Sequence, residues 1–355
     1  MKTMLDYVKE AKDVSAANIR NSAAIVKPLM DEVDKDTIEN IWIVACGSSY
    51  NGCSCARAFM KKCYDHEIKI IPAYSFTNYE HDVKENDLVV MVSQSGYSTN
   101  IIDALQKVKT LNKKAIVLTG NPSSDIKEYA DVVIEYGVGE ELVSYVTKGV
   151  TTLALFWMLF IMELTERFDY KECLEKAVGL QTQMQEKASA FIAKHYKSFT
   201  AMHQCYLIGS SGSCGVCLEG ALKMGETIHI PTNVFETEEY IHGPNLQLTP
   251  TYTVLLFDNN DHTSERTYQI YKATREVTDH AFLITGTSHD ASDDHILQLD
   301  DSVCEECLSL VYLPFVQMLS FYVSKDLKTI DNSHPLMKKF KAIAKSKTDS
   351  YIDHD

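Results

Sequence analysis

The chain has few basic residues for its size. Its 355 residues contain 34 lysines and arginines against 49 aspartates and glutamates, and the formal net charge is −15. Nucleic acids and anionic membranes both bind positively charged surfaces, so this balance disfavours either class of partner. A small anionic substrate is not excluded, because local dipoles can hold an anion within an acidic protein.

Long apolar runs are missing as well. The longest, residues 153–162, is too short to span a bilayer and predicts a buried helix. The first ten residues are polar and amphipathic and lack the apolar core of a signal peptide. We therefore expect a soluble cytoplasmic protein, and its length allows two domains with cores of their own.

The ten cysteines lack the spacing of a compact metal site. Cys214/Cys217 and Cys304/Cys307 are both Cys-x-x-Cys pairs, but they lie far apart in the sequence. We expect reduced, mostly buried thiols, no metal and no cofactor. A dinucleotide is not favoured either, because the segment 47–52 lacks the middle glycine of G-x-G-x-x-G.

What the sequence does contain is a twice-repeated alternation of apolar strands and helices. The predicted strands are 41–46, 68–74, 88–92, 115–119 and 132–136, then 205–208, 253–257, 281–285 and 296–299. The main predicted helices are 14–32, 47–62, 147–166, 170–197, 214–226 and 307–325. Such a pattern is typical of α/β folds in which a parallel sheet is covered on both faces.

The two halves also share a motif, which indicates an internal duplication. Ala-Cys-Gly-Ser-Ser at 45–49 returns as Leu-Ile-Gly-Ser-Ser at 207–211. We predict two tandem doubly wound parallel-sheet domains, three-layered and flavodoxin- or Rossmann-like. The predicted ranges are a helical segment 1–35, domains 36–195 and 196–330, and a tail 331–355.

A serine-rich turn follows the third predicted strand. Ser93, Gln94, Ser95 and Gly96 lead into a helical pattern that begins at Asn100. Hydroxyls, an amide and free backbone N–H groups at a helix N-terminus can bind a phosphate, here without lysine or arginine in the turn. The alternative is an ordinary loop in which one serine caps the helix.

Three charged residues share one face of the helix 214–226. Glu219, Lys223 and Glu226 are spaced i, i+4 and i+7. A solvated salt-bridge stripe is the plain interpretation, but the small neighbours Gly220 and Gly225 favour close packing. Charged side chains on a packed helix need partners or a chemical function.

A histidine follows in a loop. His242 precedes Gly243 and Pro244, which interrupt regular structure. A glutamate base such as Glu226 with a histidine acid could move a proton between adjacent carbons of an open-chain sugar.

These motifs, in this order, resemble the sugar isomerase (SIS) domain family. The likeness is to the isomerase half of glucosamine-6-phosphate synthase and to fructosamine-type sugar-phosphate deglycases such as those for fructoselysine or glucoselysine 6-phosphate. It implies that the phosphate and nearby hydroxyls are held by Ser49, Ser93, Gln94, Ser95 and Ser98. It further implies that Glu226 shuttles a proton between C1 and C2 and that His242, from the neighbouring subunit of an obligate dimer, assists ring opening. Glu219 and Lys223 would line the site.

The sequence departs from the synthase in three places. The first cysteine is Cys46, so we expect no N-terminal nucleophile that would release ammonia from glutamine. Tyr97 stands where the synthase has a glutamate. The tail after Asp331 lacks the synthase arginine, and the position of its reactive lysine falls on Phe340. The nearest lysines are Lys338, Lys339 and Lys341.

These departures favour cleavage over synthesis. We expect a deglycase that converts an amino-acid-conjugated hexose 6-phosphate into hexose 6-phosphate and the free amino acid. The alternatives are a phosphosugar isomerase or glucosamine-6-phosphate deaminase, and a non-catalytic sugar-phosphate sensor. The expected partners are a small sugar phosphate and a second copy of the chain.

Overall fold

The structure, a computed structural model, describes residues 2–142, 145–290 and 292–352. The chain divides into two compact units. The first contains Asp13–Tyr170 and the C-terminal segment from Ser333 onwards, and the second contains Met4–Lys12 and Lys171–Asn332. Compared with the predicted ranges, residues 171–195 fall in the second unit and the tail falls in the first.

The first unit is built on a five-stranded parallel sheet. Its strands are β1 (Ile41–Ala45), β2 (Ile68–Pro72), β3 (Leu88–Ser93), β4 (Ile116–Thr119) and β5 (Val132–Glu135). The helices in residues 4–165 are α1 (Met4–Arg20), α2 (Ser22–Met30), α3 (Ser48–Cys63), α4 (Ala73–Asn78), α5 (Thr99–Thr110) and α6 (Lys148–Thr165). The part of α1 up to Lys12 belongs to the second unit. The strand order is β2-β1-β3-β4-β5, the flavodoxin-like order, whose ligand sites lie beyond the carboxyl ends of the strands.

The second unit repeats this plan. Its strands are β6 (Cys205–Ile208), β7 (Thr232–Phe235), β8 (Thr253–Phe257), β9 (Ala281–Thr285) and β10 (Ile296–Gln298). Its helices are α7 (Lys171–Lys194), α8 (Tyr196–Thr200), α9 (Cys214–Thr227), α10 (Ser264–Arg275) and α11 (Leu308–Leu327). The order β7-β6-β8-β9-β10 matches that of the first sheet, and all pairs are parallel. The predicted fold class, two tandem parallel-sheet α/β domains, is confirmed.

Two helices reach the length and apolarity of a membrane span. They are α6 and the segment Glu305–Leu327, and 89% and 94% of their apolar windows are buried inside the protein. α6 packs on α3, and α11 packs on α7 and α9. The apolar run 153–162 is fully buried, as the sequence predicts for a core helix.

Some elements differ from the prediction. The predicted helix 14–32 is two helices, α1 and α2, separated at Asn21, and α1 begins earlier, at Met4. Strand β7 was not predicted. It lies at the edge of its sheet, and its residues are exposed or half-buried, so it carries no continuous apolar run to mark it.

Candidate active site

The loop between β3 and α5 (the serine loop, residues 93–99) is closed by its own hydrogen bonds. Ser93 is 2% exposed, and its Oγ donates to Ser98 Oγ at 3.2 Å. The same oxygen accepts the backbone N–H of Gly96 at 3.2 Å. The sequence therefore places hydroxyl groups at the N-terminus of α5, where helical N–H groups lack helical partners.

Gly96 allows this turn because its φ is +75°, a region that residues with a side chain rarely adopt. A Cβ at this position would lie 1.7 Å from Ser124 Oγ, whereas a Cβ at Gly139 (φ +63°) would meet nothing within 4 Å. We expect Gly139→Ala to cost about 1–2 kcal/mol of unfolding free energy from backbone strain alone. Gly96→Ala should cost roughly 1–3 kcal/mol more, because the clash adds to the strain. Denaturant unfolding of both variants measures the difference, and equal losses would contradict it.

A lysine from the tail reaches the serine loop. Lys347 Nζ donates to Ser95 Oγ at 2.8 Å and to Ser98 Oγ at 3.1 Å. The backbone fixes this position, because Ser98 and Lys347 form an antiparallel bridge and Thr348 N–H donates to Tyr97 O at 2.9 Å. The serine loop, which has no basic residue of its own, therefore receives a cation from a distant part of the chain.

A cavity of about 400 Å³ adjoins this loop, within the size range of small-molecule sites. Its lining residues include Gln94, Ser95, Tyr97, Asn121, Glu141 and Tyr351. The tail contributes one side of it, and the rings of Tyr97 and Tyr351 lie 5.6 Å apart. The first unit thus has a polar cavity beside its hydroxyl groups.

Glu141 lines the cavity beside the serine loop and is held by the backbone at the start of α6. Its carboxylate accepts the backbone N–H groups of Thr147, Lys148 and Gly149 at 2.8–2.9 Å, at the start of α6. Burial raises the pKa of this carboxyl group, and these hydrogen bonds oppose the rise. Gln94 Nε2 also donates to Glu141, at 3.4 Å. The start of α6 therefore holds the Glu141 carboxylate, and this carboxylate positions the side-chain amide of Gln94 in the serine loop.

The loop after β6 in the second unit (residues 209–213), which corresponds to residues 47–49 of the first unit, bonds a carboxylate. Ser210 Oγ donates to the carboxylate of Glu236 and to Thr237 Oγ1 at 2.8 Å. Partial burial opposes ionisation of Glu236, but the hydrogen bonds from Ser210 and from backbone N–H groups lower its pKa. An ionised carboxylate beside this loop repels a second anion, so the loop after β6 is a poorer candidate for a phosphate site than the serine loop.

The charged face of α9 is largely buried. Lys223 lies between two carboxylates, with Nζ 3.2 Å from Glu219 Oε1 and 2.7 Å from Glu226 Oε2. The side chains of Glu219 and Lys223 are 0% exposed, while that of Glu226 is 37% exposed. Burial opposes charge on Lys223, but Glu219 and Glu226 outweigh it and raise the pKa of the ammonium group. Glu226 is thus the member of the trio that solvent or a substrate can reach.

His242 is exposed and follows the short 3-10 helix Glu239–Ile241. Its position in a surface loop agrees with the sequence prediction. Ser49 is buried in the first turn of α3.

The structure brings the predicted residues together in two groups. Ser93, Gln94, Ser95 and Ser98 form the serine loop of the first unit, and Glu219, Lys223 and Glu226 form one cluster on α9 of the second. The burial of Glu219 and Lys223 favours positioning of Glu226 over direct contact with substrate. The tail lysines that the sequence singled out, Lys338, Lys339 and Lys341, lie on the exposed helix α12 (Met337–Ile343).

Sequence reasoning missed Lys347 and Glu141. Lys347 lies in a polar tail with no periodicity, and Glu141 precedes α6 without a capping motif, so neither carries a local signal. Their roles depend on contacts between segments that are distant in the sequence.

Comparison with known proteins agrees with this architecture. The SIS domain model matches residues 37–162 and 198–303. A glutamine–fructose-6-phosphate aminotransferase (isomerizing) of Pyrobaculum aerophilum is 23% identical over 320 residues, which are 86% of this chain and 52% of the relative. The chain spans about half the length of the curated relatives it matches.

Solved structures show the same fold. A protein assigned as a phosphosugar isomerase from Clostridium difficile 630 superposes with a TM-score of 0.85 at 22% identity, over 98% of this chain and 99% of the other. The C-terminal domain of the glucosamine-fructose-6-phosphate aminotransferase from Francisella tularensis gives 0.78 at 22% identity, over 92% and 96%. Glucosamine-6-phosphate deaminase from Thermotoga maritima gives 0.76 at 20% identity, over 94% and 97%. With both sheets matched by the domain model, the chain belongs to the SIS domain family.

Proposed function

We propose that this protein is a sugar-phosphate deglycase that releases an amino acid from a conjugated hexose 6-phosphate. The observation that carries the proposal is the arrangement on α9, where a buried lysine holds a half-exposed glutamate. This arrangement suits a base whose carboxylate is oriented by the protein and accessible to substrate.

The serine loop would bind the phosphate. Its hydroxyls and the start of α5 offer hydrogen bonds and a positive dipole end, and Lys347 adds a full positive charge. In the free protein the ammonium of Lys347 bonds two serine hydroxyls, and a bound phosphate would accept hydrogen bonds from all three groups.

The proposed reaction moves one carbon-bound proton and adds one water. Glu226 removes a proton from the sugar carbon that bears the amine, C1 in a ketoamine, and returns it to the neighbouring carbonyl carbon, C2. The C2 oxygen gains a proton as the nitrogen loses its own, so the product is an imine at C1 beside a hydroxyl at C2. Water adds to C1 and the C–N bond breaks, which yields an aldose 6-phosphate and the amino acid. For a C2-linked amine the same steps run in the opposite direction and give a ketose 6-phosphate.

The tail supports cleavage over synthesis. Lys347 in the tail contacts Ser95 and Ser98 of the serine loop. This position suits its ammonium group to neutralise the charge of a bound phosphate rather than to attack the sugar carbonyl. A substrate that already carries its own C–N bond needs no enzyme amine. The related proteins named as isomerases and as a deaminase make those reactions the second candidate, because both use the same C1–C2 proton transfer.

Two further features belong to the proposal. His242 would act in the site of a partner copy in a homodimer, which its exposed loop position permits. The cytoplasm is the proposed location, consistent with the acidic composition and with apolar helices that are buried in the fold.

The test is an amino-acid release assay on hexose 6-phosphates conjugated through C1 or C2 to different amino acids. Release of amino acid with equimolar hexose 6-phosphate supports the deglycase. Interconversion of unconjugated hexose 6-phosphates, or ammonia from glucosamine 6-phosphate with no release from conjugates, assigns the second candidate. Binding of sugar phosphates with no turnover of any substrate indicates a sensor.

We expect Lys347→Gln to weaken phosphate binding. Loss of a charge-assisted hydrogen bond worth about 1.5–3 kcal/mol corresponds to a roughly 10- to 150-fold rise in KM for the phosphorylated substrate. The inhibition constant of inorganic phosphate should rise in parallel. Lys339→Gln, which removes the same charge from the exposed helix α12, is the matched control and should leave both constants unchanged. Equal effects of the two variants would show that only net charge matters.

A further inference from the structure

Three cysteine sulfurs come together in the second unit, outside the candidate active site. The Sγ atoms of Cys173, Cys304 and Cys307 all lie within 4.8 Å of one another. Cys173 is in the first turn of α7. Cys304 immediately precedes the short 3-10 helix Glu305–Cys307, and Cys307 is the last residue of that helix, directly before α11. The sequence shows the Cys304/Cys307 pair but gives no sign that Cys173 joins it.

The local backbone explains how the pair is presented. Cys307 N–H donates to Cys304 O at 3.0 Å, which closes a turn in the Cys-x-x-Cys segment. Such a turn is how zinc sites bring two thiols of one segment to the same ion. Cys173 and Cys304 are partly exposed and Cys307 is buried, so the cluster opens towards solvent on one side.

We propose that Cys173, Cys304 and Cys307 form a zinc site. Tetrahedral Zn²⁺ with bonds of about 2.3 Å to sulfur separates its thiolate ligands by about 3.8 Å, and the spacing here falls within reach of that value after small side-chain rotations. Three thiolates leave the fourth position of the tetrahedron to water. Soft sulfur ligands select zinc over calcium or magnesium.

A zinc site built from three cysteines requires thiolates, because the thiolate is the form of cysteine that binds a metal ion. Three thiolates around a divalent cation carry a net charge of −1, and the nearby Lys176 is itself ion-paired with Asp301 at 2.8 Å. Metal binding would release the remaining thiol protons.

The site would join two segments of the second unit. The Cys-x-x-Cys segment packs closely on the loop that precedes α9, where a Cβ at Gly212 would lie 2.1 Å from Glu305 O. Zinc bound to Cys173 as well would tie this segment to the start of α7. The proposed role is structural, and it is independent of the reaction assigned to the protein.

The test uses the full chain, kept reduced, loaded with Zn²⁺ and then dialysed against metal-free buffer. We expect about one zinc per chain by elemental analysis, and Co²⁺ loading should give a thiolate-to-metal charge-transfer band. Cys173→Ser and Cys304→Ser should each lower the zinc affinity at least tenfold. Cys214→Ser, in the other Cys-x-x-Cys pair, is the control and should bind zinc like the wild type.

A measurement on the wild type alone keeps the proposal testable if a variant fails to fold. Competition with a chromophoric chelator gives the zinc affinity, and zinc should raise the Tm in a concentration-dependent way. Failure of the reduced wild type to retain zinc would overturn the proposal. So would a disulfide that forms among these cysteines in the presence of zinc, seen as a loss of two hydrogens in intact mass, or unchanged zinc affinity in Cys173→Ser.

Discussion

Glu226→Gln is expected to lower kcat by a factor of roughly 10²–10⁴ and to leave KM nearly unchanged. The amide keeps the size and shape of the carboxylate but cannot take a proton from carbon. Because Lys223 Nζ lies 2.7 Å from Glu226 Oε2, the amide oxygen can still accept that hydrogen bond, and the side chain should keep its place. Steady-state kinetics on the substrate identified in the release assay gives both constants.

Glu186→Gln is the matched control for this variant. Glu186 is an exposed glutamate on α7 of the same unit, so the substitution makes the same chemical change at the surface. It should leave kcat and KM at the wild-type values. If Glu226→Gln instead raised KM alone, Glu226 would be a binding residue, and the proton transfer would have to be assigned to another group.

Lys223→Met is expected to destabilise the protein by about 3–5 kcal/mol, the usual cost of removing one partner from a buried ion pair. Lys223 and Glu219 are both 0% exposed, so the change leaves the Glu219 carboxylate buried without its cation. Methionine fills a similar volume, and the loss therefore reports charge rather than a cavity. Equilibrium unfolding in denaturant measures it.

Two further variants test whether the buried charge of Glu219 causes this loss of stability. The double variant Lys223→Met/Glu219→Gln should regain a large part of the lost free energy, because the buried charge is then removed with its partner. Lys194→Met breaks an ion pair with Asp294 in which both side chains are about half exposed, and it should change stability by no more than about 1 kcal/mol. A loss in Lys194→Met as large as that in Lys223→Met would contradict the assignment of the cost to burial.

The fold could be predicted because each half of the sequence carries its own alternation of apolar strands and helices. β1 and β3 are buried on both faces, and the sequence marks them as continuous apolar runs. The close packing predicted from Gly220 is also confirmed, since a Cβ there would lie 2.7 Å from a Leu207 side-chain carbon and 2.9 Å from one of Val316. At Gly225, the other small neighbour, a Cβ would meet nothing within 4 Å, so that position carries no such constraint.

The candidate site was predictable only in part. Helical spacing was sufficient to place Glu219, Lys223 and Glu226 on one face, but not to distinguish the buried pair from the accessible carboxylate of Glu226. That distinction depends on the packing of α9 against α11, which no local pattern encodes. Likewise, the tail lysine that reaches the serine loop is selected by the backbone pairing of Ser98 with Lys347, a contact between residues 249 positions apart.

The duplicated halves are unequal at the loop that follows the central strand of each sheet, β3 in the first unit and β8 in the second. A symmetric duplication would give two equivalent anion sites, whereas the loop after β8 begins with the buried Asp258, whose carboxylate accepts the hydroxyl of Thr285 at 2.8 Å. Saturating phosphate should therefore bind with a stoichiometry of one per chain. After duplication, the two loops at this position have diverged: the proposed phosphate loop carries hydroxyl groups, and its counterpart carries a buried aspartate.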